Sequence, residues 1–325
     1  MNTTVGATVK WGVLGAARIA EQALIPAIRA AGGHVAALGC RDLQRGQAYA
    51  QRNGIPHTMG YLDLVQNADV DAVYIALHNA AHLPWALAAL AAGKHVLCEK
   101  PLTLNARQVA QLQAAQRIHG RFAMEAFMYR FHPAIEQLHA LVRDGAIGQP
   151  RVMRGAFAFV LDRPEDVRWD PAMGGGALYD VGCYPLDLMR QLTGEQPDVL
   201  AAQASYTDRG VDHALSALLR FGDATAHMDC GFSLPFHQGF EVLGAHGALR
   251  VDQPFLNKDR DVVLWHDAHA HRFPPTDAYV RMVSHFQRAI RVEEPLRYPL
   301  DDALAQAETL DRVFLAMEPA PTGAM

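Results

Sequence analysis

The chain is poor in cysteine: four in 325 residues, Cys40, Cys98, Cys183 and Cys230, far apart and with no Cys-x-x-Cys pair. That spacing excludes a disulfide framework and a cysteine-type zinc site, and it suits reduced thiols in a cytosol. No block of basic residues occurs and the net charge is −5, which argues against nucleic acid as the main partner. No apolar run reaches membrane-spanning length, so no membrane partner is expected. The opening Met1-Asn2-Thr3-Thr4-Val5-Gly6-Ala7-Thr8 lacks the basic flank and apolar stretch of a signal peptide. Internal repeats and low-complexity segments are missing too. What is there is ordinary for a globular protein, 50% hydrophobic and 19% charged, at a length that exceeds one core and so implies two domains. A cytoplasmic location is expected.

One stretch organises the rest, Ala92-Gly93-Lys94-His95-Val96-Leu97-Cys98-Glu99-Lys100-Pro101. A helix ends at Gly93, a short buried strand covers His95 to Cys98, and a carboxylate, an amine and a proline then stand at its carboxyl end. In an open parallel sheet, ligands bind at the carboxyl ends of the strands. A solvated Glu-Lys pair is the plain alternative, worth roughly 0–1 kcal/mol.

The preceding segments place that strand in a repeating pattern. Thr8 to Leu14 reads as a strand, and Gly15-Ala16-Ala17-Arg18-Ile19-Ala20 turns it into a helix reaching about Ala31. This is the position of a dinucleotide fingerprint, written here as Gly-x-Ala-x-x-Ala. The second strand, His34 to Gly39, ends in Cys40-Arg41-Asp42, where an acid would read the ribose 2′-hydroxyl of NAD and an arginine the 2′-phosphate of NADP. Asp42 has the place of an N-cap for a helix over Leu43 to Arg52, which favours Arg41 and NADP; an Asp42 turned inward would favour NAD. A strand from Ala72 to Leu77 ends in His78-Asn79-Ala80-Ala81-His82, putting both histidines beside the cofactor cleft or in a solvated loop. Two histidines four apart with no third ligand make no metal site. Asn105-Ala106-Arg107-Gln108 is a capping box, and Arg121 to Glu125 is one more strand. Strands alternating with helices in this way give a doubly wound parallel sheet.

These residues resemble the Gfo/Idh/MocA oxidoreductase family. The likeness runs from Trp11 to Ala20, through Gly93 to Pro101 and Glu125 to Pro133, to Gly174-Gly175-Gly176-Ala177-Leu178-Tyr179-Asp180-Val181-Gly182-Cys183-Tyr184. It implies an N-terminal Rossmann domain, here 1–125, and a C-terminal α+β domain with a large, mostly antiparallel open sheet, here 126–325. The last helix, about 300–316, would pack back on the first domain. The branch it is most similar to oxidises pyranose sugars or dihydrodiols with NADP. A homodimer or homotetramer formed through the C-terminal sheet is implied as well. Two residues depart from the family pattern: Ala17 stands where glycine is common, and His78 where proline is.

Past the first domain, His132 to Gly145 reads as a helix. From Gln149 the period becomes two, with Val152, Arg154, Ala156 and Ala158 facing one way and Met153, Gly155, Phe157 and Phe159 the other. Gly174-Gly175-Gly176 then opens a helix on which Asp180 and Tyr184, four apart, share a face. Pro185 is expected to bend or loosen that helix. With Lys100 the resemblance makes these three an acid/base set. Hydride would pass between C4 of the nicotinamide and a carbinol carbon while Tyr184, or Lys100, handles the hydroxyl proton. An ammonium beside a phenol favours phenolate, so Lys100 would make Tyr184 the better base. Asp180 would orient the substrate hydroxyls or Lys100.

The cofactor-binding set is then Gly15, Ala16, Ala17, Arg18, Ile19, Arg41, Leu77, His78, Asn79, His82, Glu99 and Lys100. Arg168 and Trp169 join it by closing over the nicotinamide or the sugar, unless the tryptophan merely anchors a loop. Tyr129 and Arg130, with His132, are substrate-side candidates. His266, His269 and His271 read as a polar loop, since no carboxylate or cysteine pattern completes a metal site. Segments from Asp198 to about Leu264 alternate as an antiparallel sheet, and helices over about Thr276 to Val292 and Leu300 to Ala316 close the fold before a loose tail, Glu318 to Met325. The expected function is an NADP(H)-dependent oxidoreductase of a sugar or cyclic polyol. The alternatives on the same fold are a redox glycosidase with tightly held NAD and a non-catalytic cofactor-binding regulator.

Overall fold

The structure, a computed structural model, describes residues 8–317; residues 1–7 and the tail from Glu318 to Met325 fall outside that range. The chain divides into two compact units, one running up to Met128 together with Asp277–Leu304, the other comprising Tyr129–Thr276 and the chain from Ala305.

The first unit is built on β1 (Lys10–Leu14), β2 (His34–Gly39), β3 (His57–Met59), β4 (Ala72–Ile75), β5 (His95–Cys98) and β6 (Ala123–Glu125), in the order β3-β2-β1-β4-β5-β6 and parallel throughout. That order is the doubly wound one, and it reverses direction between β1 and β4. The strands are near-continuous apolar runs because helices cover both faces: Trp11, Val13, Leu14, Val73, Tyr74, Ile75, Val96 and Leu97 are fully buried. The covering helices are α1 (Ile25–Ala30), α2 (Leu43–Arg52), α3 (Tyr61–Gln66), α4 (His82–Ala91), α5 (Ala106–His119) and, from the far end of the chain, α8 (Ala278–Ile290). Phe286 of α8 packs against Trp11, ring centroids 5.8 Å apart. Local chemistry sets the boundaries. Asp42 accepts from Arg45 N–H at 3.0 Å to start α2, Asn105 accepts from Gln108 N–H at 3.0 Å to start α5, and Gly120 in the left-handed region ends α5.

In the second unit, α6 (Pro133–Arg143) precedes an eight-stranded sheet of order β14-β13-β12-β11-β7-β10-β9-β8. Its strands are β7 (Pro150–Val160), β8 (Asp198–Tyr206), β9 (Asp212–Phe221), β10 (Ala224–Gly231), β11 (Ser233–Gly244), β12 (Ala248–Val251), β13 (Val262–His266) and β14 (His269–Phe273). All pairings are antiparallel except β7 with β10. In β7, Met153, Gly155 and Phe157 are buried as the period-two reading expects, but the alternation breaks at the end of the strand, where Ala158 is buried and Phe159 is half-buried. One face carries α7 (Cys183–Thr193), and it carries it closely: a Cβ on Gly155 would lie 2.7 Å from Pro185 Cβ. The helix does not run regular from its start. It opens as a π-turn over Leu178–Gly182 and becomes α-helical at Cys183, so Pro185 stands just past the change of winding rather than within a regular α-helix. The last helix, α9 (Leu300–Ala316), starts in the first unit, where Asp301 accepts from Gln113. It ends in the second, where Gln306 donates to the Cys183 carbonyl at 3.0 Å.

Candidate active site

In the first unit the expected cofactor residues stand at the carboxyl ends of the parallel strands. Gly15 follows β1 with φ +104°, and a Cβ there would meet the Ala76 carbonyl oxygen at 2.4 Å. Only glycine fits where β1 and β4 approach at the switch point. Ala16, Ala17, Arg18 and Ile19 continue this turn, which is held from below by Tyr49, whose phenol donates to the Ala17 carbonyl at 2.8 Å. Sequence reasoning did not single out Tyr49, which reads as one more residue of an amphipathic helix.

At the end of β2 the acid and the arginine have separated. The Asp42 carboxylate is spent on the first turn of α2, whereas Arg41 and Arg45 are exposed with no carboxylate partner among the described residues. Two unpaired guanidinium groups flanking a committed acid suit an anion, and they fit the 2′-phosphate of a dinucleotide better than its 2′-hydroxyl.

At the end of β4, Leu77 lies against Gly15, and His78 and Asn79 begin a short 3₁₀ turn. The Nδ1 of His78 is buried without a hydrogen-bond partner, an orphan that a bound group can satisfy. His82 is different from its sequence reading. It is fully buried, with Nδ1 2.8 Å from the Pro101 carbonyl and Nε2 3.0 Å from the Leu77 carbonyl. It therefore lies between the β4 loop and the Glu99-Lys100-Pro101 loop, donating to one of the two carbonyls, and both ring nitrogens face carbonyl oxygens. Burial pushes its pKa down to about 4, against the pull of the two carbonyls.

At the end of β5, Glu99 accepts from the Tyr74 phenol at 2.5 Å. Tyr74 is wholly buried, and burial followed by the Glu99 charge drives its pKa well above the ordinary phenol value, so it stays a donor. The Lys100–Pro101 peptide is cis, and the chain beyond it is fixed by Leu102 N–H donating to Glu125 at 2.8 Å. Lys100 thus stands between two anchored residues, Glu99 and Pro101.

In the second unit, Arg168 and Asp180 are brought together. The Nε of Arg168 donates to Asp180 Oδ2 at 2.7 Å, and Nη1 reaches Asp166 at 3.1 Å. Asp180 is therefore no solvated aspartate, and its charge, chief among the causes, raises the Arg168 pKa further. The Arg168 backbone is tied in as well, its carbonyl accepting from Gly176 N–H at 3.1 Å. Trp169 lies edge-on to Phe232, centroids 5.3 Å apart, as the anchor of this loop. Tyr184 is 5% exposed, its ring fixed by Phe157, Phe255 and Tyr129 at 5.3, 5.3 and 5.7 Å. Such packing leaves a side chain one orientation.

Tyr129 and Arg130, expected on the substrate side, are buried instead. The Tyr129 phenol donates to Asp187 at 2.5 Å and the Arg130 Nε at 2.7 Å, with a second Arg130 bond beside it and Arg190 completing the set at 3.1 Å. Their polar groups are occupied by a carboxylate that is itself fully buried, which makes the cluster part of the core of this unit. His132 is buried too, its Nδ1 accepting from Ala134 N–H at the start of α6. Among the described residues no group of histidine, cysteine and carboxylate side chains is placed to hold a metal ion, and no helix is long and apolar enough to cross a membrane.

Comparison with known proteins gives two family matches. Residues 9–127 match the oxidoreductase family with an NAD-binding Rossmann fold, and residues 135–250 match the GFO/IDH/MocA C-terminal domain. The D-xylose 1-dehydrogenase (NADP(+)) 2 of Haloferax volcanii is 36% identical over 323 residues, covering 97% of this chain and 98% of that protein. The trans-1,2-dihydrobenzene-1,2-diol dehydrogenase of Mus musculus is 34% identical over 251 residues, 75% of each chain. A solved structure of a 3-ketoreductase from Actinomadura kijaniata, in complex with NADP and TDP-benzene, is 31% identical with a TM-score of 0.90, covering 97% of this chain and 99% of that one. Variants of that reductase with one tyrosine replaced by phenylalanine, and with one lysine replaced by alanine, have the same fold.

Proposed function

This chain belongs to the GFO/IDH/MocA family of oxidoreductases, and we propose that within it Lys100, Asp180 and Tyr184 act on the hydroxyl of a sugar-like substrate. It is an NADP(H)-dependent oxidoreductase of CH–OH groups, in line with relatives that act on a sugar, a dideoxysugar and a dihydrodiol. The observation that carries the residue assignment is a spacing. The lysine and the tyrosine replaced in the solved 3-ketoreductase variants are separated by the same number of residues as Lys100 and Tyr184.

Bound NADP⁺ supplies the acceptor for a hydride leaving the carbinol carbon. Gly15 to Ile19 receive its pyrophosphate at the β1 turn, Arg41 its 2′-phosphate, and Leu77, His78 and Asn79 line the nicotinamide side. As the C–H bond breaks, the hydroxyl proton passes to the Tyr184 phenolate, and the carbonyl product forms. Lys100 donates a hydrogen bond to the same oxygen and stabilises its negative charge. Asp180, held by Arg168, orients a neighbouring hydroxyl. The rigid packing around Tyr184 and the anchors on either side of Lys100 support this division of roles, since a small misplacement of either group is costly. Aldoses oxidised at the anomeric carbon and cyclic diols are the substrates we favour. A cytoplasmic enzyme, dimeric or tetrameric through the large sheet, completes the reading; Val160, Leu200, Leu234 and Phe236 on that sheet's strands or their ends are exposed apolar side chains.

Tyr184→Phe and Lys100→Ala test it. Each is expected to lower kcat by ~10²-fold or more while NADP⁺ still binds. Turnover of Tyr184→Phe near that of the unaltered protein would remove the phenol from the mechanism.

A further inference from the structure

We propose that Asp212 is a positioning residue for the active-site helix: its buried carboxylate holds the first backbone N–H groups of the helix that carries Asp180 and Tyr184, and so sets where those side chains stand. The inference rests on the assignment of Asp180 and Tyr184 above.

Asp212 is the first residue of β9 and only 4% exposed. Its Oδ2 accepts from Leu178 N–H at 2.7 Å, and the N–H of Ala177 donates to it as well. These are orphan donors of the helix start, the positive end of the helix dipole, and they form a natural cradle for a carboxylate. No cationic side chain pairs with Asp212 among the described residues. A buried acid with backbone partners alone is an expensive cap, and an exposed Ser or Asn would cap as well. The location accounts for the expense. Gly176 sits directly over the carboxylate with φ +129°, and a Cβ there would lie 2.1 Å from Asp212 Oδ1. The third glycine of Gly174-Gly175-Gly176 is therefore the residue that lets the acid in. The Gly176 carbonyl in turn accepts from Asp180 N–H at 3.1 Å. From Asp212 to Asp180 the connection is thus two direct contacts, and the π-turn bearing Asp180 leads straight into Tyr184.

Charge matters to this device. Burial, prevailing over the backbone N–H groups, pushes the Asp212 pKa up to about 7. The ionisable groups facing it are Tyr179 on the helix and Cys230 on β10, both neutral at that pH and both raised partly by its charge. Near neutrality the carboxyl group therefore gains or loses its proton, and the neutral form grips the N–H groups less firmly.

The test uses the full chain, with Asp212→Asn and Asp212→Ala compared with the unaltered protein in NADP⁺-linked oxidation across pH. The expected result for Asp212→Ala is a fall in kcat of ~10–100-fold with NADPH affinity, read by fluorescence, unchanged within about twofold. Asp212→Asn, close in shape, is expected to stay folded by circular dichroism and to lose the acid-side inflection in kcat that the native carboxyl places near pH 7; it decides the matter if the alanine variant does not fold. An asparagine variant with the native kcat and the native acid limb overturns the inference. Tyr184→Phe is run beside it. If that variant is inactive while Asp212→Asn behaves as native, this inference alone falls. If Tyr184→Phe and Asp180→Ala both turn over normally, the helix is not catalytic and both fall.

Discussion

The buried cluster around Asp187 gives the sharpest stability prediction. Asp187 is completely enclosed, and its two oxygens receive the Tyr129 phenol, two donors of Arg130 and one of Arg190. Asp187→Asn conserves the volume, yet it deletes the negative charge facing two guanidinium groups and turns an amide NH₂ toward donors. Removing one partner of a buried ion pair costs about 3–5 kcal/mol, because the other charge stays desolvated. For a folding unit of ~150–250 residues, each kcal/mol moves the melting midpoint by about 2–4 °C, so the drop should be on the order of 10 °C. The assay is thermal unfolding followed by near-ultraviolet circular dichroism, with the transition of the second unit fitted separately since two units need not melt together. A drop of less than ~2 °C would refute the reasoning, for it would put the cluster on a par with a surface pair. An apolar replacement of the whole charged set, Asp187→Leu with Arg130→Met and Arg190→Met, should recover part of the loss, since buried ionic groups exchanged together for apolar groups of similar volume are often neutral.

Arg41→Ala should weaken NADPH binding by ~10–100-fold and leave NADH nearly untouched, as expected for one charge-assisted bond to the 2′-phosphate; equal losses for both cofactors in a fluorescence titration would contradict that role. The acid side of the stability profile should be steep because of His82 and His95, whose pKa values burial pushes down from 6.5 to about 4. Their lowered values mean that the unfolded chain takes up protons the folded one refuses, so stability is complete above pH 6.5 and is lost as pH falls toward 4, by at most about 3 kcal/mol per histidine. His95→Gln should flatten the fall in urea midpoint between about pH 7 and pH 4.5, and an unchanged slope would contradict the assignment.

Much of this protein was legible where the information is local. Leu43–Arg52 and His95–Cys98 have their expected bounds because an N-cap at Asp42 and a glycine stop at Gly93 lie within a few residues of the ends they set. The start of the large sheet was legible in β7 because burial alternates over Val152 to Phe157. The segments that escaped are short: β3 has three residues, α3 six, and β14, whose His269 and His271 read as a polar loop, five, too few for a period to show. The candidate residues divide along the same line. Gly15, Arg41 and Lys100 announce themselves by their places at strand ends. Asp212 does not, because its partner lies 34 residues away and a lone acid before a strand has no local signature. Tyr74 reads as one more apolar residue of a parallel strand until its contact with Glu99 is seen. Tyr129 and Arg130 mislead for the converse reason: they look polar and accessible, but Asp187, nearly sixty residues on in sequence, draws them into the core.

The central claim is most directly tested by the absorbance of reduced nicotinamide, followed with the purified chain, NADP⁺ or NAD⁺, and a panel of aldopyranoses and cyclic diols. The account predicts that the signal grows with at least one sugar or diol, and faster with NADP⁺ than with NAD⁺ at equal concentration. A protein that binds NADP⁺ yet yields no reduced cofactor with any member of the panel, and consumes none when offered the corresponding ketones or lactones with NADPH, would contradict it.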